Sequence, residues 1–288
     1  MGQITGATRL AGIMGWPVAH SRSPLLHGWW LDQKGIDGAY VPLPVRPERI
    51  ESALRALPVL GFRGCNLTIP HKEAALAVAD RVDPLARRIG AVNTIVVAAD
   101  GSLEASNTDA YGFCENLRES VPDWDPASGP AVVLGAGGSA RAVVVALADA
   151  AVGEIRIVNR TRARAEALAS ELRSSGTAIS VHSWHEAKAV QEDAGLLVNT
   201  TSLGMKGQPP LELDLSPLPR TAPVVDLVYV PLETGLLAAA RQRGHPLVDG
   251  LGMLLHQGRP GFEAWFGAKV EVDAALRAAM LASTAAAR

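Results

Sequence analysis

The stretch from Ala131 to Thr161 leaves the chain few choices of fold. An apolar run, Ala131-Val132-Val133-Leu134, leads into Gly135-Ala136-Gly137-Gly138-Ser139-Ala140, then a helix-length apolar pattern to Ala151, then Glu154-Ile155-Arg156-Ile157-Val158-Asn159. That succession predicts strand, glycine turn, helix and strand, a parallel βαβ unit. Each small residue has a physical task. Gly135 permits the tight turn, Gly137 lets backbone N–H groups come close to a pyrophosphate, and Ala140 keeps helix and strand together. The helix then begins with unpaired N–H donors and the positive end of its dipole facing the phosphates. A glycine pattern alone could be a turn that binds nothing; its place between a β-rich run and a helix points to a dinucleotide.

The tip of the second strand refines that ligand. Binders of NAD usually carry an Asp or Glu about 20 residues past the glycines, accepting from the ribose hydroxyls. Here the strand ends in Asn159-Arg160-Thr161, with Arg162 and Arg164 beyond and no carboxylate. A carboxylate would repel a ribose 2′-phosphate, whereas a guanidinium offers it a planar fork. The expected cofactor is therefore NADP. Arg162 reads better as the solvated first turn of the next helix than as a contact, and that helix is expected to reach Ser174.

With 288 residues the chain has room for one large or two medium domains. Its 27 basic and 29 acidic residues leave a formal charge of −2, which offers no surface for nucleic acid or an anionic membrane. Although 48% of residues are hydrophobic, no apolar run has spanning length. Met1 to Thr8 lacks the charged and apolar regions of a secretory signal, and the two cysteines, Cys65 and Cys114, form neither a disulfide framework nor a zinc site. The expectation is a cytoplasmic protein without a metal.

In chain order, Arg9 to Met14 reads as a first strand. Ser23-Pro24 follows as a helix-start signal with Ser23 as the N-cap, and the helix carries Leu25 to Lys34. Ser21 and Ser23 together could also offer two hydroxyls to a carboxylate. Ala39 to Pro42 is expected as a strand, Glu48 to Leu57 as a helix, and Gly61 to Pro70 as a strand, giving a parallel-type α/β sheet in this half too. His71-Lys72-Glu73 is expected to open a helix, where Lys72 would oppose the dipole; a general base benefits from such placement, and an exposed lysine is the plainer account. Asp83 to Ile89 reads as a short helix, Gly90 to Val97 and Leu103 to Ser106 as strands, and Asn107-Thr108-Asp109 as the head of a helix to Ser120. Asp109 also suits a first turn for purely structural reasons. Beyond Thr161, Gly195 to Asn199 is a buried-type strand whose polar continuation, Thr200 to Met205, lies where open α/β sheets bind ligands. Pro223 to Leu227 is a further strand, Glu233 to Arg243 a helix, and Pro246 to Val248 the last strand. Two helices, from Gly250 to Phe266 and from Val272 onward, complete the chain.

Several of these stretches together resemble the shikimate dehydrogenase family across nearly the whole chain. They are Ser21-Arg22-Ser23-Pro24, Asn66-Leu67-Thr68-Ile69-Pro70-His71-Lys72, Gly90-Ala91-Val92-Asn93-Thr94, Asn107-Thr108-Asp109, Gly135-Ala136-Gly137-Gly138, Asn159-Arg160-Thr161, Asn199-Thr200-Thr201-Ser202, Asp226 to Pro231 and Gly250 to Gln257. Any one is unremarkable; their joint order is specific. Leu67, His71 and Ser106 depart from more familiar residues, but none replaces a group assigned to chemistry.

The resemblance implies an α/β fold of two domains, a substrate domain and a Rossmann-type doubly wound NADP domain separated by a cleft. The expected bounds are 1–108, completed by 250–288, and 109–249. It implies interconversion of 3-dehydroshikimate and shikimate with NADP, a step towards aromatic amino acids. Ser21 and Ser23 would donate to the substrate carboxylate, and Thr68, Asn93 and Gln257 would hold ring hydroxyls. Lys72 and Asp109 would form the catalytic pair, and Tyr229 would line the substrate side. Met205 and the backbone at Gly250 would sit near the nicotinamide, with Gly135 to Gly138, Asn159 to Thr161, Arg164 and Thr200 on the rest of the cofactor. The partners implied are small molecules, with the protein a monomer or homodimer. Rivals are a quinate/shikimate or aminoshikimate-type dehydrogenase and a non-catalytic NADP-sensing module; the last would not need Lys72 and Asp109.

One outcome follows from the strand tip alone. Arg160→Asp should weaken NADP by roughly 1.5–3 kcal/mol, about one to two decades, while leaving NAD much less affected. Parallel NADP and NAD titrations of wild type and variant check it, and an unchanged ratio excludes Arg160 as the phosphate reader.

Overall fold

The computed structural model describes residues 4–172 and 176–285. Two compact units divide the chain. One runs to Thr108 and resumes at Leu254; the other is Asp109–Met253.

In the first unit the elements are β1 (Arg9–Gly15), α1 (Ser23–Lys34), β2 (Gly38–Pro44), α2 (Ile50–Ala56), β3 (Phe62–Leu67), β4 (Arg81–Val82), α3 (Pro84–Ile89), β5 (Thr94–Val97) and β6 (Leu103–Ser106). Their sheet has the order β2-β1-β3-β5-β6-β4. It is not the parallel sheet expected of this half. β1 pairs in parallel with β2 and β3, but β5 runs antiparallel to both β3 and β6. For β6 the reason is connection length, since a tight turn at Asp100-Gly101 joins it to β5 and can only reverse the chain; for β3 it is the side of the sheet on which β5 lies. Two helix expectations also change. Ser23 is the first helical residue of α1, not its cap; Arg22 holds the cap position without a side-chain hydrogen bond. No α-helix follows His71. Lys72 sits in a turn ahead of a four-residue 3₁₀ turn at Ala74–Ala77, so it is not in the first turn of an α-helix and opposes no helix dipole.

The second unit contains α4 (Asp109–Ser120), β7 (Ala131–Leu134), α5 (Gly138–Asp149), β8 (Glu154–Val158), α6 (Arg162–Glu171), β9 (Ala178–His182), β10 (Leu196–Asn199), β11 (Val224–Asp226), α7 (Gly235–Arg243) and β12 (Leu247–Val248). Its six strands are all parallel in the order β12-β11-β10-β7-β8-β9. β7 and β10 are buried at every position, as expected of parallel strands covered on both faces. Leu134, Val158, Leu197, Val224, Leu236 and Leu237 belong to one apolar cluster of this unit. β9 is an edge strand for which the sequence offers no apolar run. α6 ends at Glu171; the expected extension to Ser174 lies outside the described residues.

α8 (Gly250–Phe266) and α9 (Ala274–Ala285) follow. Phe262 and Trp265 of α8 join Trp30, Tyr40 and His27 in an aromatic cluster of the first unit, and the Trp265 indole donates to the Ile95 carbonyl at 2.9 Å. His27 is fully buried there, stacked on Tyr40 with ring centroids 3.9 Å apart. Neither ring nitrogen has a partner in hydrogen-bond geometry among the described residues. The nearby Asn66 amide is already committed to the Asn93 carbonyl and Thr94. Burial pushes the imidazole down to about 3, with a smaller opposing pull from Asn66.

The unfolded chain therefore takes up a proton at His27 that the folded chain refuses, and stability falls as pH drops through 6.5 towards 3. The contribution is up to about 1.4 kcal/mol per pH unit over that window. His27→Phe keeps the stacked ring and should flatten the profile by that slope. Denaturant unfolding at pH 7, 5.5 and 4.5 measures it, and parallel profiles for wild type and variant would disprove the assignment.

Candidate active site

In the second unit, the turn between β7 and α5 meets the demands of a pyrophosphate cradle. Gly135 has φ +113°, a conformation that L side chains rarely adopt, and a Cβ there would stand 2.5 Å from the Thr200 hydroxyl. Thr200 in turn is fixed by two bonds to the Leu134 carbonyl, 2.9 Å from its N–H and 2.7 Å from its hydroxyl. Gly137 differs. Its backbone is extended, it occupies the N-cap of α5, and a Cβ there would meet no protein atom within 4 Å. Packing does not require glycine at 137, so the open space beside the first N–H groups of α5 suits a phosphate. Ala140 is fully buried, consistent with close helix–strand packing.

At the end of β8, the Asn159 amide donates to the Thr161 carbonyl at 2.8 Å and shapes the tip. Arg160 and Arg164 are exposed, and neither forms an ion pair among the described residues. Arg162 pairs with Glu166 one turn along α6 at 2.7 Å, as a solvated helix face does. The donor set at this tip fits a 2′-phosphate. On the other flank of β7, Met205 lies in the loop after β10 and Tyr229, half-buried, in the loop after β11. Gly250 has a packing reason of its own: a Cβ would lie 2.3 Å from the Leu227 carbonyl oxygen.

The first unit gathers Asn93 and Gln257 into one buried network. The Thr108 N–H donates to Asn93 Oδ1 at 2.8 Å. Since a backbone N–H can only donate, the Asn93 amide nitrogen must face the other way, and it donates to Gln257 Oε1 at 3.2 Å and to the Thr108 hydroxyl at 3.0 Å. The Thr108 hydroxyl gives its own proton to the Gln257 carbonyl at 2.8 Å. Asn66 is a second hub, accepting from the Tyr40 phenol at 2.6 Å and donating to the Asn93 carbonyl and to Thr94, each at 3.1 Å. Ser23 is 3% exposed. Ser21 is half-buried, and its hydroxyl accepts from the Ser23 N–H at 3.3 Å. Thr68 follows β3, anchored by its N–H on the Met14 carbonyl at 2.9 Å. Lys72 is half-buried, and its carbonyl accepts from the Val92 N–H at 2.7 Å, next to Asn93.

Asp109 is buried at the first position of α4, in the second unit. Ser21, Ser23, Thr68, Lys72, Asn93 and Gln257 thus belong to one unit, and Asp109, Tyr229, Met205, Gly250 and the glycine-turn residues to the other. Sequence reasoning missed Tyr40, Asn66, Thr94 and Thr108 as supports of this network. Asn66, Thr94 and Thr108 stand inside motifs it quoted; nothing local marks Tyr40.

An all-parallel sheet with a glycine turn after its central strand and an arginine at the neighbouring tip defines a dinucleotide-binding α/β protein with a second unit rich in directed polar groups. Comparison with known proteins places it further. Residues 13–95 match the family model for the shikimate dehydrogenase substrate binding domain, 120–204 that for shikimate / quinate 5-dehydrogenase, and 250–280 that for the shikimate 5′-dehydrogenase C-terminal domain. The shikimate dehydrogenase (NADP(+)) of Paramagnetospirillum magneticum is 62% identical over 96% of this chain and 100% of its own. Among solved structures, the shikimate 5-dehydrogenase of Thermus thermophilus in complex with NADP(H) and shikimate is 37% identical with a TM-score of 0.83, covering 98% of this chain and 100% of that one. The quinate dehydrogenase of Corynebacterium glutamicum in complex with NAD is 32% identical with a TM-score of 0.88, covering 96% and 99%. The chain belongs to the shikimate dehydrogenase family.

The two glycines should respond differently to the same change. Gly135→Ala meets both backbone strain and Thr200 and should cost about 1–3 kcal/mol of stability. Gly137→Ala should cost about 1 kcal/mol or less yet weaken NADP by about tenfold or more, a loss of roughly 1.4 kcal/mol. Thermal unfolding without ligand and NADP titration separate the two, and unaltered NADP affinity in Gly137→Ala would exclude the turn as the phosphate cradle.

Proposed function

We propose that this protein is a shikimate dehydrogenase, interconverting 3-dehydroshikimate and shikimate with NADP, a step towards aromatic amino acids. The observation that carries it is 62% identity across 96% of the chain to a relative of that name, with every motif residue of the proposed chemistry retained in this sequence. NADP supplies the acceptor for the hydride of the alcohol carbon, and the donor in the reverse direction. Gly135 to Gly138 and Thr200 would receive its phosphates and Asn159, Arg160, Thr161 and Arg164 its 2′-phosphate, with Met205 and the Gly250 backbone beside the nicotinamide.

On the substrate, Ser21 and Ser23 would bind the carboxylate, and Thr68, Asn93, Gln257 and Tyr229 the ring and its hydroxyls. Oxidation of the alcohol releases a hydride and a proton. Lys72 would manage that proton at the reacting oxygen, with Asp109 as the anion that orients its side chain. The pair would also return the proton to the nascent alcohol in the reverse direction. Both serine hydroxyls favour shikimate over quinate, and the Asn159-Arg160-Thr161 tip favours NADP over NAD.

The enzyme reading rests on Lys72 and Asp109. Lys72→Ala should lower kcat by roughly two to four decades, with NADP affinity almost unchanged. Asp109→Asn should also act chiefly on kcat, and the double variant should be little worse than the poorer single, since residues working as one unit are not additive. Initial rates with shikimate and with quinate, each with NADP and with NAD, supply the test. Full activity in Lys72→Ala would overturn the proposed role, and a higher kcat/KM for quinate would move the assignment to the quinate enzymes.

A further inference from the structure

The carboxyl ends of β10 and β11 carry the two loops that hold Met205 and Tyr229, and one buried side chain is shared between them. Asp226, the last residue of β11, is fully buried. Its Oδ1 accepts from the Asn199 amide at 2.9 Å and from the Val228 N–H at 3.0 Å, and its Oδ2 accepts from the Thr234 hydroxyl at 2.6 Å. No cationic side chain pairs with it among the described residues.

The direction of each bond is fixed by a neighbour that can act in only one way. Asn199 Oδ1 accepts from the Thr201 N–H at 3.0 Å and the Thr201 hydroxyl at 2.7 Å, so its NH₂ must face Asp226. Thr234 accepts from the Leu237 N–H at 3.2 Å and caps α7, which leaves its proton for Asp226. Three donors thus converge on one carboxylate that lacks a compensating cation, a costly arrangement to bury without a purpose. The bonds run outward into both loops. Thr201 holds the Leu203 N–H at 3.1 Å, and the Lys206 N–H reaches across to the Val230 carbonyl at 2.8 Å. Met205 is bracketed by the first loop and Tyr229 by the second.

Sheet order says which part of a dinucleotide these loops would meet. The Gly135 turn follows β7, and the Arg160 tip follows β8 on one flank; β10 and β11 lie on the other flank. A dinucleotide laid across the carboxyl ends, with its pyrophosphate at the turn and its 2′-phosphate at Arg160, places its nicotinamide over β10 and β11. We infer that Asp226 is a positioning residue for the nicotinamide half of the cofactor, clasping the β10 and β11 loops through Asn199, Val228 and Thr234 while leaving the adenosine half untouched. The inference rests on the NADP reading above.

The two halves of the ligand can be probed separately. 2′,5′-ADP carries the adenosine, the 2′-phosphate and one 5′-phosphate but no nicotinamide. Calorimetric titration of the full-length protein with NADP and with 2′,5′-ADP should show Asp226→Asn losing about tenfold or more in NADP affinity, the scale of one charge-assisted hydrogen bond, with 2′,5′-ADP changed by less than about twofold. Thr234→Val, which removes one of the three donors, should shift the same ratio in a folded protein, and Thr234→Ser should restore it. Equal losses for both ligands would reduce Asp226 to general stability and overturn the inference, as would an unchanged NADP affinity in both Asp226→Asn and Thr234→Val. Wild-type protein that binds neither ligand would instead refute the NADP reading itself, so the two failures are distinct.

Discussion

The parallel pairing of β7 with β8 on one side and β10 on the other is the constraint from which the cofactor unit is built. In a parallel sheet all chain exits from the strands lie at one edge, so Gly135, Asn159, Thr200 and Leu227 all begin loops at the same end. β7 and β10 are buried at every position, so that edge is backed by close-packed side chains. The tight Gly135 turn is a consequence: α5 must start directly beneath the edge, and Thr200 from the neighbouring strand fills the place a side chain would take. The placing of free backbone N–H groups at that turn is therefore a property of strand order before it is a property of any side chain.

The first unit reaches its polar order by another route. Its sheet is mixed, and its polar side chains are directed by backbone groups rather than by a shared edge. The Thr108 N–H, the Asn93 carbonyl and the Gln257 carbonyl each act in one sense only, and they propagate that sense through Asn93, Asn66 and the Thr108 hydroxyl. The outcome is a set of amides that cannot flip without leaving a buried donor facing a donor. Such a set holds each amide in one orientation. His27, buried beside Tyr40 with two unpartnered nitrogens, shows the opposite case: a polar ring tolerated for its shape.

A common logic links Asp226 with these amides. Both units place strongly polar groups where water is excluded and pair them with donors whose direction the backbone dictates. An unpaired member would cost more than the bond it replaces, so each group holds its neighbours in one arrangement. The loops that carry Met205 and Tyr229 are long and irregular, yet hydrogen bonds tie them at Asn199 and Asp226 to the ends of β10 and β11 and at Thr234 to the start of α7.

Local sequence determined whatever depends on neighbours within a few residues. The strand, glycine turn, helix and strand from Ala131 to Val158 are visible because apolar periodicity and glycine spacing act along the chain. The helix headed by Asp109, the short helix ending at Ile89 and the Arg162 surface turn were legible for the same reason. What remained hidden depends on groups far apart in sequence. β9 shows no apolar run because an edge strand is only half covered, and the antiparallel placement of β5 is decided by which strand lies beside it. A Ser-Pro pair signals a helix start but not which residue is the first helical one, and so Ser23 was misplaced by one position. The union of Asn93 with Gln257, 164 residues away, and of Asp226 with Asn199 came only with the tertiary structure. Hydrogen bonds between distant side chains leave no period in a sequence; only the packing that excludes water from them makes them obligatory.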